Sequence, residues 1–412
     1  MADSNAVLLH RWPGRRTVSV GVWIAHGASH DAEELAGITH LVEHLTLRRC
    51  GNRDRFSLAE LVDRLGGDVD AWTSAEAMGL SVQTTIDALP EALSILRDAV
   101  LEPTFAQEDV ELERQVALAE LELMNDDPGE RVGEAILRAA WGDHAYARPV
   151  IGSPDTIKGL TPEILRNHHQ EKLLRPGGLL LAVVGDVSSA DIEDLVSQLP
   201  LTAEVRRPPL QAPKWIGASI KLDRPATDQI HARLAFPAVP VGSSQAPIAA
   251  VLSRILGTGN SSRLFQRLRE DEGLTYDIWT DLVLRSVGGL LEVGWACSPE
   301  RFDDAQRLVG EELRRFAEDV SENEVEVALQ GMTRALQIEA ETAGGRASFD
   351  VAEVVERGRR FDLERTLAEL RSVRVEKVRS MAREILRPEI MASAVCGPER
   401  SPMSLTPCII SW

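Results

Sequence analysis

Cysteine is scarce in this chain. The four among 412 residues, Cys50, Cys297, Cys396 and Cys408, stand far apart and form no CxxC pair. That usage argues against a disulfide framework and for reduced thiols in a cytoplasmic protein. Basic residues are outnumbered, 45 Lys and Arg against 64 Asp and Glu, which gives a formal net charge of −19. A surface of that sign repels nucleic acid and anionic lipid, so neither is expected as the main partner. It suits either an acidic chamber for cationic, unfolded peptides or an ordinary solubilising surface. Long apolar runs are missing as well: no segment reaches the roughly 20 residues needed to cross a bilayer. The opening residues Met1-Ala2-Asp3-Ser4 do not begin a secretory signal, so a cytoplasmic location is expected.

What is present points to a duplicated fold. A chain of 412 residues exceeds the roughly 250–300 at which a single core stops growing, so two domains are expected. Leu174-Arg175-Pro176 is followed by Gly185, and Leu386-Arg387-Pro388 by Gly397; Pro176 to Pro388 and Gly185 to Gly397 are both offsets of 212 residues. In each copy the run before Leu-Arg-Pro reads helical, and the run after it, 178–184 or 390–395, reads as a buried strand. Residues 16–26 alternate Val18, Val20, Val22 and Ile24 in the period of a strand. Helices are expected at 36–48, 58–65 and 90–101, and a pair of strands at 68–85. Beyond the proline-bearing stretch 201–215 the same alphabet recurs, with strands in 220–236, a helix at 246–256, a hairpin around Gly288-Gly289 in 275–296, and a mainly helical 299–385. Without a regular β-α-β alternation, these runs predict an α+β class: two duplicated domains, each a mostly antiparallel sheet packed against helices. The expected boundaries are 1–200, a linker at 201–215, 216–400, and a flexible tail at 401–412.

Within the first copy, His40-Leu41-Val42-Glu43-His44 places two imidazoles four residues apart, on one face of a short helix, where both can grip one ion. Glu43 stands one residue from His44 and three from His40, the reverse of the H-E-x-x-H zinc helix. The segment reads as the inverted zinc-peptidase motif of an inverzincin. A catalytic zinc takes three protein ligands and keeps one position open, so a third ligand must come from elsewhere. Residues 105–125 read as one long helix that stops at Asp126-Asp127-Pro128-Gly129. Glu113 and Glu120 lie two turns apart on one of its faces, which by itself is an ordinary solvated face.

Together the two helices resemble the pitrilysin family of zinc peptidases, which includes insulin-degrading enzyme and the mitochondrial processing peptidase. In that family the inverted motif is followed by a distant Glu-x6-Glu pair, here Glu113 and Glu120, with Glu120 76 residues after His44. Val20-Gly21-Val22-Trp23, Arg64-Leu65-Gly66-Gly67, Pro149-Val150-Ile151-Gly152 and Leu181-Ala182-Val183-Val184-Gly185-Asp186 are similar to family landmarks, so the likeness covers nearly the whole chain. The resemblance implies one Zn2+ per chain held by His40, His44 and Glu120. It implies Glu43 as general base and acid, and Glu113 as a supporting catalytic residue that orients a ligand. The strand bearing Asp70, Ala71, Trp72 and Thr73 is similar to the family's peptide-binding edge strand. The family usually has Asn at the position of Asp70. Arg269 and Tyr276 resemble the family's Arg-x6-Tyr substrate contacts, and the preceding Gly257-Thr258-Gly259-Asn260-Ser261-Ser262-Arg263-Leu264-Phe265 is similar to the loop that leads to them.

At the offset of 212, His40, Glu43 and His44 fall opposite Leu252, Ile255 and Leu256, so the second copy is expected to carry no metal. Family members of this length pair two chains, which implies a homodimer, or a heterodimer with a metal-free sister subunit. Three function classes remain open: a zinc endopeptidase acting on unfolded peptides or leader segments, a non-catalytic or partner-dependent core subunit, and an unrelated metal-binding protein. The remaining histidines have plain expectations. His26 and His30 read as loop or core, His168 and His169 as surface, and His231 as part of a strand.

Overall fold

The computed structural model describes residues 6–398. The expected tail at 401–412, with Cys408, lies outside the described residues. Ten strands form two five-stranded sheets among those residues. The first sheet contains β1 (Val7–Arg11), β2 (Thr17–Ile24), β3 (Asp68–Thr73), β4 (Met78–Thr85) and β5 (Leu179–Gly185), in the order β1-β5-β2-β4-β3. The second contains β6 (Ser219–Asp223), β7 (Ile230–Ala238), β8 (Asp277–Arg285), β9 (Gly288–Cys297) and β10 (Ala392–Gly397), in the order β6-β10-β7-β9-β8. Each sheet has one parallel pair, β1 with β5 and β6 with β10, and is otherwise antiparallel. The duplication holds to the residue: Val7 faces Leu181 in β5, and Ser219 faces Ser393 in β10, both partners shifted by 212. The α+β class with two duplicated, mostly antiparallel sheets is therefore the observed one.

The chain forms two compact units, which do not coincide with its two halves. Among the described residues, one comprises 6–122, 148–210 and 337–363; the other comprises 123–147, 211–336 and 364–398. Each half lends a helix to the unit built mainly from the other. In the first unit the helix Ala343–Arg357 packs on β2 and β5, and in the second the helix Pro128–Trp141 packs on β7 and β10. The run Leu179–Gly185 is apolar at nearly every position because both faces of β5 are covered. Leu179, Leu181 and Val183 meet the core that holds the helices Ile38–Thr46 and Leu89–Leu101, whereas Leu180, Ala182 and Val184 meet Ala347, Val351 and Val354 of the lent helix. Each fully buried Leu or Val of β5 contributes roughly 1.5–3 kcal/mol of transfer free energy. Residues 201–215, the expected linker, hold neither helix nor strand.

The β8–β9 hairpin differs from the expectation in one detail. Its turn is Ser286-Val287, with Arg285 facing Gly288, so both glycines belong to β9. Gly289 is needed for a close approach instead of a turn, since a Cβ there would stand 2.6 Å from the Val239 carbonyl oxygen.

Candidate metal centre

The motif helix, Ile38–Thr46, exists because Ile38, Leu41, Val42 and Leu45 make one fully buried stripe. Its opposite face carries His40, Glu43 and His44, all partly buried. The helix starts at Gly37, whose φ of 92° lies in the left-handed region. There the backbone meets the Ile151-Gly152 segment so closely that a Cβ on Gly37 would stand 2.3 Å from the Ile151 carbonyl oxygen, and one on Gly152 (φ 86°) 2.2 Å from that of Ala36. Two glycines distant in sequence thus permit one backbone crossing that sets where the motif helix begins.

The second helix, Gln107–Asp126, buries Val110, Glu113, Ala117 and Leu121 and keeps Glu120 partly exposed on the adjoining face. Ion pairs dock it onto the end of the motif helix. Arg48 Nη1 donates to Glu113 Oε1 at 2.6 Å, Arg48 Nε reaches Asp109 Oδ1 at 3.4 Å, and Arg49 Nε reaches Asp109 Oδ2 at 3.0 Å. Asp109 and Glu113 are only 3 and 7% exposed, so these partners offset a sizeable desolvation cost. As a result, one ligand atom from each of His40, His44 and Glu120 lies within 4.8 Å of the others.

The donor chemistry fits zinc. His44 Nδ1 is hydrogen-bonded to Glu113 Oε2 at 3.1 Å, which fixes the tautomer and leaves Nε2 as the lone-pair nitrogen, 3.7 Å from Glu120 Oε2. The two rings are 4.5 Å apart, and His40 Nδ1 is buried with no hydrogen-bond partner. Burial, and then the neighbouring His44, lower the His40 pKa to about 4, so its ring is in the neutral, ligating form at neutral pH. Two imidazoles and one carboxylate are a three-ligand set that leaves a fourth position for water or substrate.

Glu43 accepts a hydrogen bond from Thr73 Oγ1 at 3.1 Å. Burial raises its carboxyl pKa; His44 and the Thr73 hydroxyl pull it back, Asp70 and Glu120 push it up, and it settles at about 7. Thr73 ends β3, which pairs with β4 on one side and is the edge of its sheet. Asp70, Ala71, Trp72 and Thr73 therefore lie along a sheet edge beside the motif helix. In the second unit, the Arg269 guanidinium lies 4.7 Å from the Phe265 ring centre and 4.5 Å from that of Tyr276, so the Arg269–Tyr276 pair is preassembled by stacking. Tyr276 is 79% exposed.

The second unit holds no comparable donors among its described residues. Leu252, Ile255 and Leu256 are buried in its apolar core. His168 and His169, expected at the surface, are instead 8 and 4% exposed. Their polar neighbours Arg166, Asn167 and Gln170 take the outer face, while His169 Nε2 bonds the Val100 carbonyl at 2.8 Å. Sequence reading did not single out Arg48, Arg49 or Asp109, and it named Thr73 only as part of the peptide-binding edge strand, not as a partner of Glu43. The Arg48-Arg49 pair directly after the motif was the available signal for the helix docking.

An inverted His-x-x-Glu-His helix joined by a carboxylate from a second helix, in a duplicated α+β fold, is the arrangement of the inverted class of zinc peptidases. The chain belongs to the M16 peptidase family. The model "Insulinase (Peptidase family M16)" matches residues 6–154, and "Peptidase M16 inactive domain" matches residues 159–332. An uncharacterized zinc protease of Mycobacterium tuberculosis is 32% identical over 400 residues, 95% of this chain and 91% of the relative. The uncharacterized zinc protease YmxG of Bacillus subtilis is 27% identical over 395 residues, 95 and 96% of the two chains. Among solved structures, a peptidase M16 inactive domain from Pseudomonas fluorescens shares the fold with a TM-score of 0.88 at 20% identity, covering 97% of each chain. A chain of Complex III2 from Candida albicans shares it with a TM-score of 0.82 at 17% identity, covering 98% of this chain and 97% of the other. No helix of the described residues is long and apolar enough to cross a membrane.

Proposed function

We propose that the chain is a zinc-dependent endopeptidase that hydrolyses unfolded peptides or leader segments in the cytoplasm, with one Zn2+ held by His40, His44 and Glu120. The convergence of one donor atom from each of these three residues within 4.8 Å carries the reading. A zinc ion in such a set supplies Lewis acidity toward a carbonyl and brings the pKa of a water to about 7. Glu43 takes the proton from the attacking water and hands it to the leaving amine. A carboxyl group at about 7 exchanges protons in both directions at neutral pH. Thr73 holds Oε2 of Glu43, so the base keeps one orientation. Glu113 accepts from Nδ1 of His44 and thereby keeps the opposite nitrogen unprotonated. The substrate adds as an extended strand along Asp70–Thr73, its backbone pairing with the sheet edge, and Arg269 and Tyr276 are assigned to substrate binding as a separate element of the second unit.

The chain carries both the donor set and the Arg/Tyr pair, so it functions as a homodimer, each copy bringing a full set. The likeness to a Complex III2 chain leaves the core-subunit reading as the second one. That reading is disfavoured because a subunit without catalysis has no use for three converging donors and a raised carboxylate. Metal content and hydrolysis of a quenched peptide library, with and without chelator, test the first reading. Glu43→Gln is expected to keep zinc and lose hydrolysis, whereas His44→Ala loses both. An equal fall of metal content in the two variants refutes the division of roles.

A further inference from the structure

A second group of donors lies in the first unit, and the reaction above uses none of it. His26 and Asp31 stand in the segment between β2 and the motif helix, and His168 ends the helix Pro162–His168. Each presents one ligand atom within 4.8 Å of the other two. All three are more than nine-tenths buried, at 4, 3 and 8% exposure. We propose that His26, Asp31 and His168 form a second metal site, structural in role, that takes a divalent transition ion such as Zn2+.

Three observations carry this. Both ring nitrogens of His26 are buried without a hydrogen-bond partner, and so is Nε2 of the neighbouring His30. A buried polar atom left unpaired costs roughly 1–3 kcal/mol, so several in one cluster point to a missing ligand. The distances agree: Oδ1 of Asp31 lies 3.5 Å from His26 Nε2 and 3.7 Å from His168 Nε2. An imidazole N–H drawn to a carboxylate would close to about 2.7–2.9 Å. Two donors bound to one tetrahedral zinc at 2.0–2.1 Å stand about 3.3–3.4 Å apart, close to what is seen. Charge is the third observation. The Asp31 carboxylate accepts from the Thr39 hydroxyl at 2.5 Å and the Thr39 amide at 3.3 Å, both uncharged donors. A buried carboxylate held by neutral donors gains from a cation in contact.

His30 supplies a further donor at the margin of the cluster, its ring centre 5.2 Å from that of His26 and its Nδ1 accepting from the Gly27 amide at 3.1 Å. His168 Nε2 also lies 3.0 Å from the Thr39 hydroxyl, a contact that coordination would replace. Nitrogen and oxygen donors of this kind suit Zn2+ better than Ca2+ or Mg2+. An ion here would pin the segment before the motif helix to the helix Pro162–His168. Thr39, bonded to Asp31, directly precedes His40, so the ion would act as a positioning element for the motif helix. This inference does not rest on the proposed peptidase reaction.

The test uses the full chain, purified after exposure to Zn2+ and freed of loose metal by gel filtration, with zinc counted by elemental analysis. Wild type is expected to hold two equivalents, the double variant His40→Gln/His44→Gln one, and that variant with His168→Gln added none. The double variant loaded with Co2+ should show the intense visible bands of a four-coordinate ion. No metal in the double variant overturns the proposal. So does one equivalent that survives the addition of both His26→Gln and His168→Gln, which would be an adventitious ion only. Should the His168 variants fail to fold, weak six-coordinate bands from the Co2+ form of the double variant overturn it equally. One equivalent in both wild type and the double variant would leave this site standing and sink the first.

Discussion

Replacing Glu113 by Gln isolates what the carboxylate behind His44 does. In the native chain Glu113 is 7% exposed, takes the Nδ1 hydrogen of His44 at 3.1 Å with one oxygen, and binds Arg48 at 2.6 Å with the other. Glutamine keeps the shape and one acceptor oxygen but loses the charge. A hydrogen bond to a charged group contributes roughly 1.5–3 kcal/mol against roughly 0.5–1.5 for a neutral one. The basicity of His44 Nε2 should therefore fall by an amount worth about 1–1.5 kcal/mol of ligand strength, or about tenfold in zinc affinity. Glu113→Ala removes the acceptor altogether and is expected to weaken zinc by about a hundredfold, the upper end for such outer partners. Competition with a zinc chelator of known affinity measures both. The zinc-saturated Gln variant should retain most of its peptidase rate. Unchanged zinc affinity with abolished hydrolysis would refute the reasoning, because Glu113 would then act on substrate or water and not through His44.

Thr73→Val removes the hydroxyl that holds Glu43 Oε2. The rate of hydrolysis should fall about ten- to a hundredfold, the worth of a hydrogen bond to a charged group at roughly 1.5–3 kcal/mol, with zinc content unchanged. Gly152→Ala forces a Cβ into the Ala36 carbonyl at a φ of 86°. It should lower stability by at least 1–2 kcal/mol, the approximate cost of the left-handed backbone alone, seen as an earlier thermal transition. Acid stability offers a check in the second unit. Burial raises the Glu324 pKa, but hydrogen bonds from Arg263 and Ser321 prevail and hold it at about 2 against 4.5. A depressed carboxyl stabilises the fold above its unfolded pKa, and that contribution is lost as pH falls from about 4.5 towards 2. Glu324→Gln should flatten denaturant-measured stability across this window, and an unchanged slope would contradict the pairing. Phe236→Ala, at a fully buried core position of β7, should cost about 3–5 kcal/mol in the same measurement.

Much of the site was legible because its chemistry is local. His40, Glu43 and His44 share a helical face by spacing alone, and the alternation of Ile38, Leu41, Val42 and Leu45 shows which face is buried. Glu120 was legible only through likeness to a family, since on its own helix it resembles any solvated carboxylate. The edge position of β3 was likewise legible only through that likeness, and the docking of Asp109 and Glu113 onto Arg48 and Arg49 was not legible at all, because both depend on which segments meet. The surface reading of His168 and His169 failed for the same reason. Their flanking residues are polar, but the helix turns both histidines inward.

Local spacing and repetition thus determined the secondary elements, the doubled architecture and the inverted motif, since these follow from periodicity within single segments. Tertiary structure alone decided which helix covers which sheet. The amphipathic stripes of Pro128–Trp141 and Ala343–Arg357 state that each needs an apolar partner, without naming it. It also decided that two glycines would cross at the start of the motif helix, and that Asp31 would be buried between His26 and His168. Apart from His26 with Asp31, those contacts join residues about a hundred positions or more apart, and the free energy that selects them is that of the packed whole.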